Sequence, residues 1–151
     1  MRLTYHTDYA LRVLIYLAVN TGKATRVSDV ADSYGISRNH LLKVALRLGR
    51  LGYLTTMRGR SGGIALARHP EEINLGEVVR NMEDDFALVE CMRLDGGECV
   101  ISPACRLKGV VRRALEAFLT VFDEYSLADI ARNRDALSEL LGLSRIAAEP
   151  V

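Results

Sequence analysis

The spacing of apolar positions predicts three helices in the first fifty residues. Residues 4–19 carry apolar side chains at helical spacing, and a shorter helix follows a polar turn. Gly35 then occupies a tight turn that needs a residue tolerant of positive φ. Ser37 is a good N-cap for a third helix that runs to about Gly49. The predicted apolar face of the third helix consists of Leu41, Leu42, Ala45, Leu46 and Leu48.

Residues 51–67 predict two short strands joined by a glycine-rich hairpin, which is the pattern of a wing. The hairpin carries Arg58 and Arg60, and its glycines would let the backbone lie close to a sugar-phosphate chain. A nucleotide-phosphate loop is disfavoured because the hairpin has neither of the usual phosphate-binding glycine patterns. A short fourth helix is predicted after the wing, with an apolar face of Leu75, Val78, Val79 and Met82.

Residues 106–125 show the strongest periodicity in the chain and predict one long helix. Further apolar positions make its stripe wider than one small domain needs, so it is predicted to pack on its own body and on a second copy about a two-fold axis. The alternative is one long core helix in a monomer. The predicted stripe is Leu107, Val111, Ala114, Phe118, Val121 and Tyr125.

The predicted fold class is therefore mainly α with a small β-hairpin, a winged helix-turn-helix followed by a long dimerisation helix. After the long helix, Ser126 is predicted to cap a short helix, and the chain beyond Asn133 is predicted to be a weakly apolar tail with a frayed end. The predicted units are a DNA-binding domain (1–83), a cysteine segment (84–105), the dimerisation helix with the short helix after it (106–132) and the tail (133–151).

Charge is strongly segregated along the 151 residues, although the net charge is only +1. Residues 37–68 contain seven basic residues and no acidic one, whereas residues 71–98 contain nine acidic residues. A local basic surface of this kind is typical of phosphate binding. The two regions are therefore expected to do different jobs.

The polar side of the third helix and the wing are the predicted DNA contacts. The first turn and the polar stripe of a recognition helix face the bases, and arginines of a wing suit the minor groove. A merely solvated basic face is the alternative interpretation. The predicted DNA-binding residues are Ser37, Arg38, Asn39, His40, Lys43, Arg47, Arg58, Arg60 and Ser61.

All three cysteines of the chain, Cys91, Cys99 and Cys105, lie within fifteen residues that also contain glycine and proline turns. Soft thiolates select zinc, copper(I) or iron-sulfur clusters, and three are too few for an all-cysteine site. The spacing does not fit a structural zinc site, and no histidine is near in sequence. The alternative is three buried cysteines that act as small hydrophobic residues. An iron-sulfur cluster is the predicted ligand.

A cluster held by three cysteines lacks a fourth ligand. A carboxylate would give a weak, exchangeable fourth position, and spacing alone favours the carboxylates near the cysteines. The candidates are Asp8, Glu90, Asp95 and Glu98.

Cysteine usage predicts a reducing compartment, the cytoplasm, because the count is odd and no secretory signal is visible. No membrane association is predicted. The apolar run from residue 10 to residue 19 is interrupted by Arg12 and is too short to span a bilayer.

The order of these motifs resembles the Rrf-type family of winged-helix iron-sulfur transcription regulators, over nearly the whole chain. The matching segments are residues 3–12, 37–41 and 59–63, and above all Cys99-Val-Ile-Ser-Pro-Ala-Cys105. Within the family the chain resembles the nitric-oxide-sensing branch. A branch that monitors cluster supply has a histidine ligand three residues after the last cysteine, where this chain has Lys108.

The resemblance implies a homodimeric repressor with a 4Fe-4S cluster in preference to a 2Fe-2S cluster. The implied ligands are the three cysteines and a non-cysteine residue from the first helix of the other subunit, a position that Asp8 matches. Nitrosylation or loss of the cluster would release operator DNA of nitric oxide detoxification genes.

Two other functions remain open from the sequence. An iron or redox sensor of the same family would use the same cysteines. A small electron-transfer or cluster-carrier protein would use the basic segment to dock an acidic partner. An enzyme is not predicted, because no nucleophile, base and orienting group occur together.

Overall fold

The computed structural model describes residues 2–59 and 62–143. Two 3₁₀ turns, Pro70–Glu72 and Glu90–Met92, accompany seven helices and two strands in that part of the chain. In chain order these are α1 (Tyr5–Val19), α2 (Val27–Tyr34), α3 (Arg38–Arg50), β1 (Leu54–Met57), β2 (Gly63–Leu66), α4 (Leu75–Met82), α5 (Leu107–Asp123), α6 (Leu127–Ile130) and α7 (Arg134–Leu140).

The hydrophobic core is built around α1, which contacts α3, α4, α6, α7 and β2. Its apolar residues recur at helical spacing, so one side of the helix is buried over its whole length. Thr4 caps the helix by accepting a hydrogen bond from the Thr7 backbone N–H at 3.3 Å. The buried residues of α1 are Thr7, Ala10, Val13, Leu14, Tyr16, Leu17, Ala18 and Val19.

The turn between α2 and α3 confirms the role predicted for Gly35, whose φ of 63° is left-handed. Ser37 lies at the N-cap position of α3, as predicted, but its side chain makes no capping hydrogen bond. The face of α3 differs from the prediction, because Val44 is buried whereas Leu42 and Leu46 are exposed. Leucine at these two positions therefore lies on the same outer surface as Asn39 and Lys43.

The predicted wing is present as an antiparallel pair of strands in which Leu54 pairs with Leu66. Residue Thr25, in the linker between α1 and α2, joins β2 through two backbone hydrogen bonds with Ile64, of 2.9 and 2.8 Å. A Cβ at Gly63 would meet the backbone of Thr25. Gly63 thus allows the segment that contains Thr25 to lie close to the hairpin. The sequence predicts a different role for the hairpin glycines, a close approach of the backbone to DNA.

The C-terminal half of α5 is fastened to α4. Arg80 donates two hydrogen bonds to Asp123, of 2.5 and 2.7 Å, and this contact holds the pKa of the Asp123 carboxyl below its usual value. Backbone pairing continues the attachment, since Leu75 N–H donates to Tyr125 and Leu127 N–H donates to Ile73. Ser126 forms the predicted cap of α6 within a capping box.

The outer side of α5 carries an apolar stripe with alternating spacings of three and four residues, the period of a coiled-coil seam. Half-buried Val111 and Phe118 belong to the predicted stripe, but the exposed stripe uses the neighbouring positions 110 and 117 instead. Within the described chain nothing covers this surface. The exposed stripe is Leu107, Val110, Ala114, Ala117 and Val121.

Part of the predicted tail is an ordered helix, α7. Arg134 donates a hydrogen bond of 2.6 Å to the Ala18 carbonyl, and Ser33 donates one of 3.0 Å to the Leu141 carbonyl. Leu137, Leu141 and Leu143 are partly buried against the core. A tail is predicted because apolar residues are sparse in this part of the sequence. Three leucines are nevertheless enough to hold the helix, because they pack against a core that the rest of the chain has already formed. The frayed end predicted at 147–151 lies outside the described residues.

Across the described ranges, no helix has the length and apolar character needed to cross a membrane.

Gly63→Ala is expected to destabilise the fold by about 1–3 kcal/mol, because a Cβ there would strike the backbone of Thr25, which is held by two hydrogen bonds to Ile64. Gly49→Ala is the matched control, since its new methyl would meet only the Leu54 carbonyl at 4.0 Å. The control should stabilise by about 0.5–1 kcal/mol through helix propensity. Urea unfolding of both variants tests the contact; equal stabilisation would contradict it.

Candidate metal centre and nucleic-acid interface

The cysteine segment, residues 84–105, connects α4 to α5. Cys91 lies in the 3₁₀ turn Glu90–Met92 and is buried, whereas Cys99 and Cys105 are half-buried. Consecutive turns link the latter two, because Ser102 N–H donates to the Cys99 carbonyl at 3.0 Å and Cys105 N–H donates to the Ser102 carbonyl at 3.4 Å. All three are free thiols.

The donor chemistry of this segment fits an iron-sulfur cluster, but its present geometry does not. Among the residues that the structure describes, no three histidine, cysteine or carboxylate side chains are grouped closely enough to hold a metal. Seven residues separate Cys91 from Cys99, and two of them are glycines with positive φ, Gly96 and Gly97. Segment closure is therefore needed before the three thiols can share one centre.

The carboxylates near the cysteines already accept hydrogen bonds within the segment. Glu90 accepts a hydrogen bond of 2.7 Å from the Glu98 backbone N–H, and Asp95 accepts one of 3.1 Å from the Gly97 N–H. Arg93 also pairs with Asp95 at 3.0 Å. Glu90, Arg93, Asp95, Gly97 and Glu98 line a polar cavity of about 290 Å³. Glu90 and Asp95 thus have structural roles that compete with metal ligation.

Asp8 lies on the first half of α1 and pairs with Arg12, four residues later, at 2.8 Å. About 40% of each side chain is exposed. Arg12 is also held over the rings of Tyr9 and Tyr34, with its guanidinium carbon 5.9 and 5.8 Å from their centroids. A carboxylate so placed on the outside of α1 remains accessible to another chain.

Most of the predicted DNA-binding residues form one exposed surface on α3. His40 also stacks against the Tyr9 ring of α1, with centroids 6.4 Å apart. Arg58 is exposed on the wing, and Arg60 and Ser61 lie outside the described residues. The exposed residues on or directly before α3 are Ser37, Arg38, Asn39, His40 and Lys43.

Arg47 is placed differently from the other predicted DNA contacts, because it is half-buried and bound to the end of α4. Its Nη1 donates to Asp84 Oδ1 and its Nη2 to the Asn81 carbonyl, each at 2.8 Å. Asn81 Nδ2 in turn donates to the Tyr53 hydroxyl at 2.8 Å. The C-terminal part of α3 is therefore tied to the start of the cysteine segment.

The residues 81–84, which we name the joint, also contact α1. Glu83 is buried, and its carboxylate accepts a hydrogen bond of 2.7 Å from the Thr4 backbone N–H and one of 3.2 Å from the Thr4 hydroxyl. No role is predicted for Glu83 from the sequence, where it belongs to an acidic run at residues 83–85. The one sequence feature that could have indicated a structural role for Glu83 is the position of this acidic run between an apolar helix and the first cysteine.

A cavity of about 520 Å³ lies between the turn after α1 and the wing. Asn20, Lys23, Met57, Arg68 and His69 are among its lining residues. None of the predicted metal-ligating or DNA-binding residues lines it.

Comparison with known proteins decides the family. A profile of the Rrf2 family, described as an iron-dependent transcriptional regulator, matches residues 3–133. The chain belongs to the Rrf2 family. Among curated Rrf2-type relatives, HTH-type transcriptional regulators named NsrR from Bacillus licheniformis and Bacillus subtilis are 54% and 52% identical over 142 residues. The alignments cover 93% of this chain and 99% and 97% of those proteins.

Solved structures agree with the Rrf2 assignment. The oxidised form of CymR from Staphylococcus aureus has a TM-score of 0.70 at 25% identity, covering 87% of this chain and 96% of that one. The IscR of T. potens has the same TM-score at 22% identity, over 88% of both chains, and shows the fold alone. The predicted winged helix-turn-helix fold is thereby confirmed. The chain is a DNA-binding transcriptional regulator, and its relatives are named regulators, not enzymes.

In the cluster-free protein, Cys99 and Cys105 are expected to react with a thiol reagent before Cys91, because Cys91 is only 9% exposed. Limited alkylation followed by peptide mass spectrometry measures the order. Modification of Cys91 first would contradict the described conformation of the segment. The same reaction in urea provides the control, since unfolding should remove the difference.

Proposed function

We propose that this Rrf2-family regulator is a homodimeric repressor that binds operator DNA through α3 and the wing and senses nitric oxide through an iron-sulfur cluster. The observation that carries the proposal is the position of the three thiols. They lie on a segment that begins at the joint to α1 and α3 and ends at the exposed helix α5. The resemblance to the nitric-oxide-sensing branch, whose name NsrR the relatives bear, supplies the signal.

The DNA interface combines the exposed side chains of α3 with the wing. Ser37, Arg38, Asn39 and His40 begin the helix, as expected of a recognition helix that enters the major groove. Lys43 follows one turn later, Arg58 lies on the wing, and Arg60 and Ser61 follow it in the sequence before β2. Double-stranded DNA is the proposed partner because residues 37–68 contain no acidic side chain to repel phosphate.

The dimer interface is proposed to be the apolar stripe of α5. Its spacing matches a seam between two helices, and two further exposed apolar residues, Val100 and Ile101, lie shortly before α5 in the cysteine segment. A two-fold axis along the stripe would bring the cysteine segment of each subunit near its partner. Dimerisation and cluster chemistry would then occur at adjacent surfaces.

The cluster would be held by Cys91, Cys99 and Cys105 of one subunit and by Asp8 from α1 of the other. A 4Fe-4S form is proposed in preference to a 2Fe-2S form. When bound, the cluster supplies iron that reacts with nitric oxide. Asp8 is suited to the fourth position because its carboxylate is about 40% exposed and therefore accessible to another chain. Its Arg12 pair must open for Asp8 to reach a metal.

The residues of this chain link the cysteine segment to DNA through the joint. Closure of the segment around the thiols would fix residues 81–84, which hold α1 through Glu83 and α3 through Asp84. Two recognition helices must lie about 34–36 Å apart to enter successive major grooves, so a small rotation of α3 suffices to lose operator DNA. A reducing compartment, the cytoplasm, is the proposed location.

Anaerobic iron-sulfur reconstitution is expected to give a protein with charge-transfer absorption that nitric oxide bleaches while operator affinity falls. Fluorescence anisotropy with an operator selected in vitro measures the affinity. Identical operator binding by cluster-free, cluster-loaded and nitric-oxide-treated protein would refute the proposal. A response to an iron chelator without a response to nitric oxide would favour an iron sensor instead.

Cys99→Ala is expected to abolish the absorption while leaving a folded protein of unchanged oligomeric state, because the half-buried thiol contributes little to the core. Circular dichroism and ultraviolet-visible spectra provide the two measurements. Ser102→Ala, in the same turn, is the control and should keep the cluster. Full cluster content in Cys99→Ala would remove this residue from the ligand set.

Val110→Gln is expected to weaken the dimer. Each subunit would lose a buried valine worth about 1.5 kcal/mol or more, so the dimer dissociation constant should rise at least about 100-fold. Arg112→Gln is the control, because Arg112 is exposed and lies away from the stripe on the same helix. Sedimentation equilibrium measures both constants; an unchanged constant for Val110→Gln would rule out the stripe as the interface.

A further inference from the structure

Arg47 has two protein partners, whereas the exposed residues around it on α3 face solvent. We propose that Arg47 is a positioning residue that couples the joint to the recognition helix, and that it is not a phosphate contact. The inference rests on the proposed function, and it changes the role that the sequence predicted for this residue. Asp84 and the Asn81 carbonyl are assigned as its two partners.

The geometry of Arg47 supports coupling because both terminal nitrogens are engaged with the joint. Nη1 binds the Asp84 carboxylate and Nη2 binds the Asn81 carbonyl, both at 2.8 Å. About a third of the side chain remains exposed. The two acceptors are a side chain and a backbone group three residues apart, so the planar guanidinium fork fixes the conformation of the whole joint.

The joint can transmit a displacement because it is held from several sides. Asn81 is fixed by its hydrogen bond to the hydroxyl of Tyr53, a fully buried residue directly before β1. Glu83 is fixed by Thr4 at the start of α1. Asp84 is seven residues before Cys91 in the segment that must close around a cluster. A change in the segment therefore reaches α3 through Arg47 and reaches α1 through Glu83.

The hydrogen bonds of Arg47 to the joint can favour one position of α3, and they are weak enough to break when the joint moves. The Asp84 side chain is 79% exposed, and ion pairs in such positions contribute little in isolation. The bond from Arg47 to the Asn81 carbonyl is partly buried, and charged hydrogen bonds of that kind contribute more. Coupling energies between protein sites are usually of the size that such contacts supply.

The test uses full-length reconstituted protein and compares operator affinity in the cluster-loaded and cluster-free forms. Arg47→Gln should lower the ratio of the two affinities about fivefold or more. Asp84→Asn, at an exposed side chain that does not endanger folding, should lower it about two- to fivefold. Arg47→Lys should resemble Arg47→Gln, because one ammonium cannot satisfy both acceptors in the same plane. The adjacent Asp85→Asn is the control and should keep the wild-type ratio, since Asp85 contacts Ala87.

The salt dependence of operator binding separates positioning from phosphate contact. Lys43→Gln should reduce the slope of log affinity against log salt by about 1.8 per dimer, at about 0.9 for each lost contact. Arg47→Gln should leave the slope unchanged in the cluster-loaded protein. A loss of about 1.8 in Arg47→Gln would show that Arg47 binds phosphate and would overturn the proposal.

The possible failures differ from one another. If wild-type affinity does not depend on the cluster, the proposed function fails and the inference fails with it. If wild-type affinity depends on the cluster but Arg47→Gln and Asp84→Asn keep the full ratio, only the inference fails. The double variant adds a further criterion, because two residues of one tie should together reduce the ratio no more than Arg47→Gln alone.

Discussion

Burial of α1 is the constraint on which the rest of the structure depends. One side of this helix supplies the centre of the core, and α3, α4, α6, α7 and the wing strand β2 all contact it. Because cores are closely packed, a helix in this position cannot shift without displacing its neighbours. The first residue before α1, Thr4, is hydrogen-bonded to the joint through Glu83. The position of α1 therefore determines the positions of both the DNA-binding unit and the cysteine segment.

The polar contacts of the joint contrast with this rigid core. Thr4, Arg47 and Tyr53 hold residues 81–84 through hydrogen bonds, while the cysteine segment beyond them has little apolar burial. Hydrogen bonds at a partly exposed position contribute modestly, so such a connection can change state without unfolding the domain. A regulator needs this combination, because its recognition helix must be well ordered in each state and the difference between states must remain small.

Sequence periodicity predicted the elements well where one helix or strand buries one face. The first helix, the glycine turn, the wing and the long helix were all expected from spacing and turn residues. Errors arose where tertiary contacts decide the outcome. The sequence predicts Leu42 and Leu46 on the apolar face of α3, yet both are exposed and Val44 occupies the buried side. Three leucines in the predicted tail pack on a core whose existence local sequence cannot reveal.

Residue type and charge predict chemistry but not contacts between distant positions. The type and count of the three cysteines predict soft-metal binding, and the charge of the basic segment predicts phosphate binding. The contacts of Glu83 and Arg47 were not predictable, because each joins positions far apart in sequence, 79 residues for Thr4 and Glu83 and 37 for Arg47 and Asp84. No local pattern distinguishes such a carboxylate from a solvated one.

Hydrogen-deuterium exchange of the cluster-loaded and cluster-free protein tests most directly whether the cysteine segment and the recognition helix change together. Removal of the cluster should raise amide exchange in residues 84–105 and also in the joint and the C-terminal part of α3. The amides of α2 serve as the internal control and should stay unchanged in both forms. Faster exchange confined to residues 84–105, with α3 and the joint unaffected, would contradict the account.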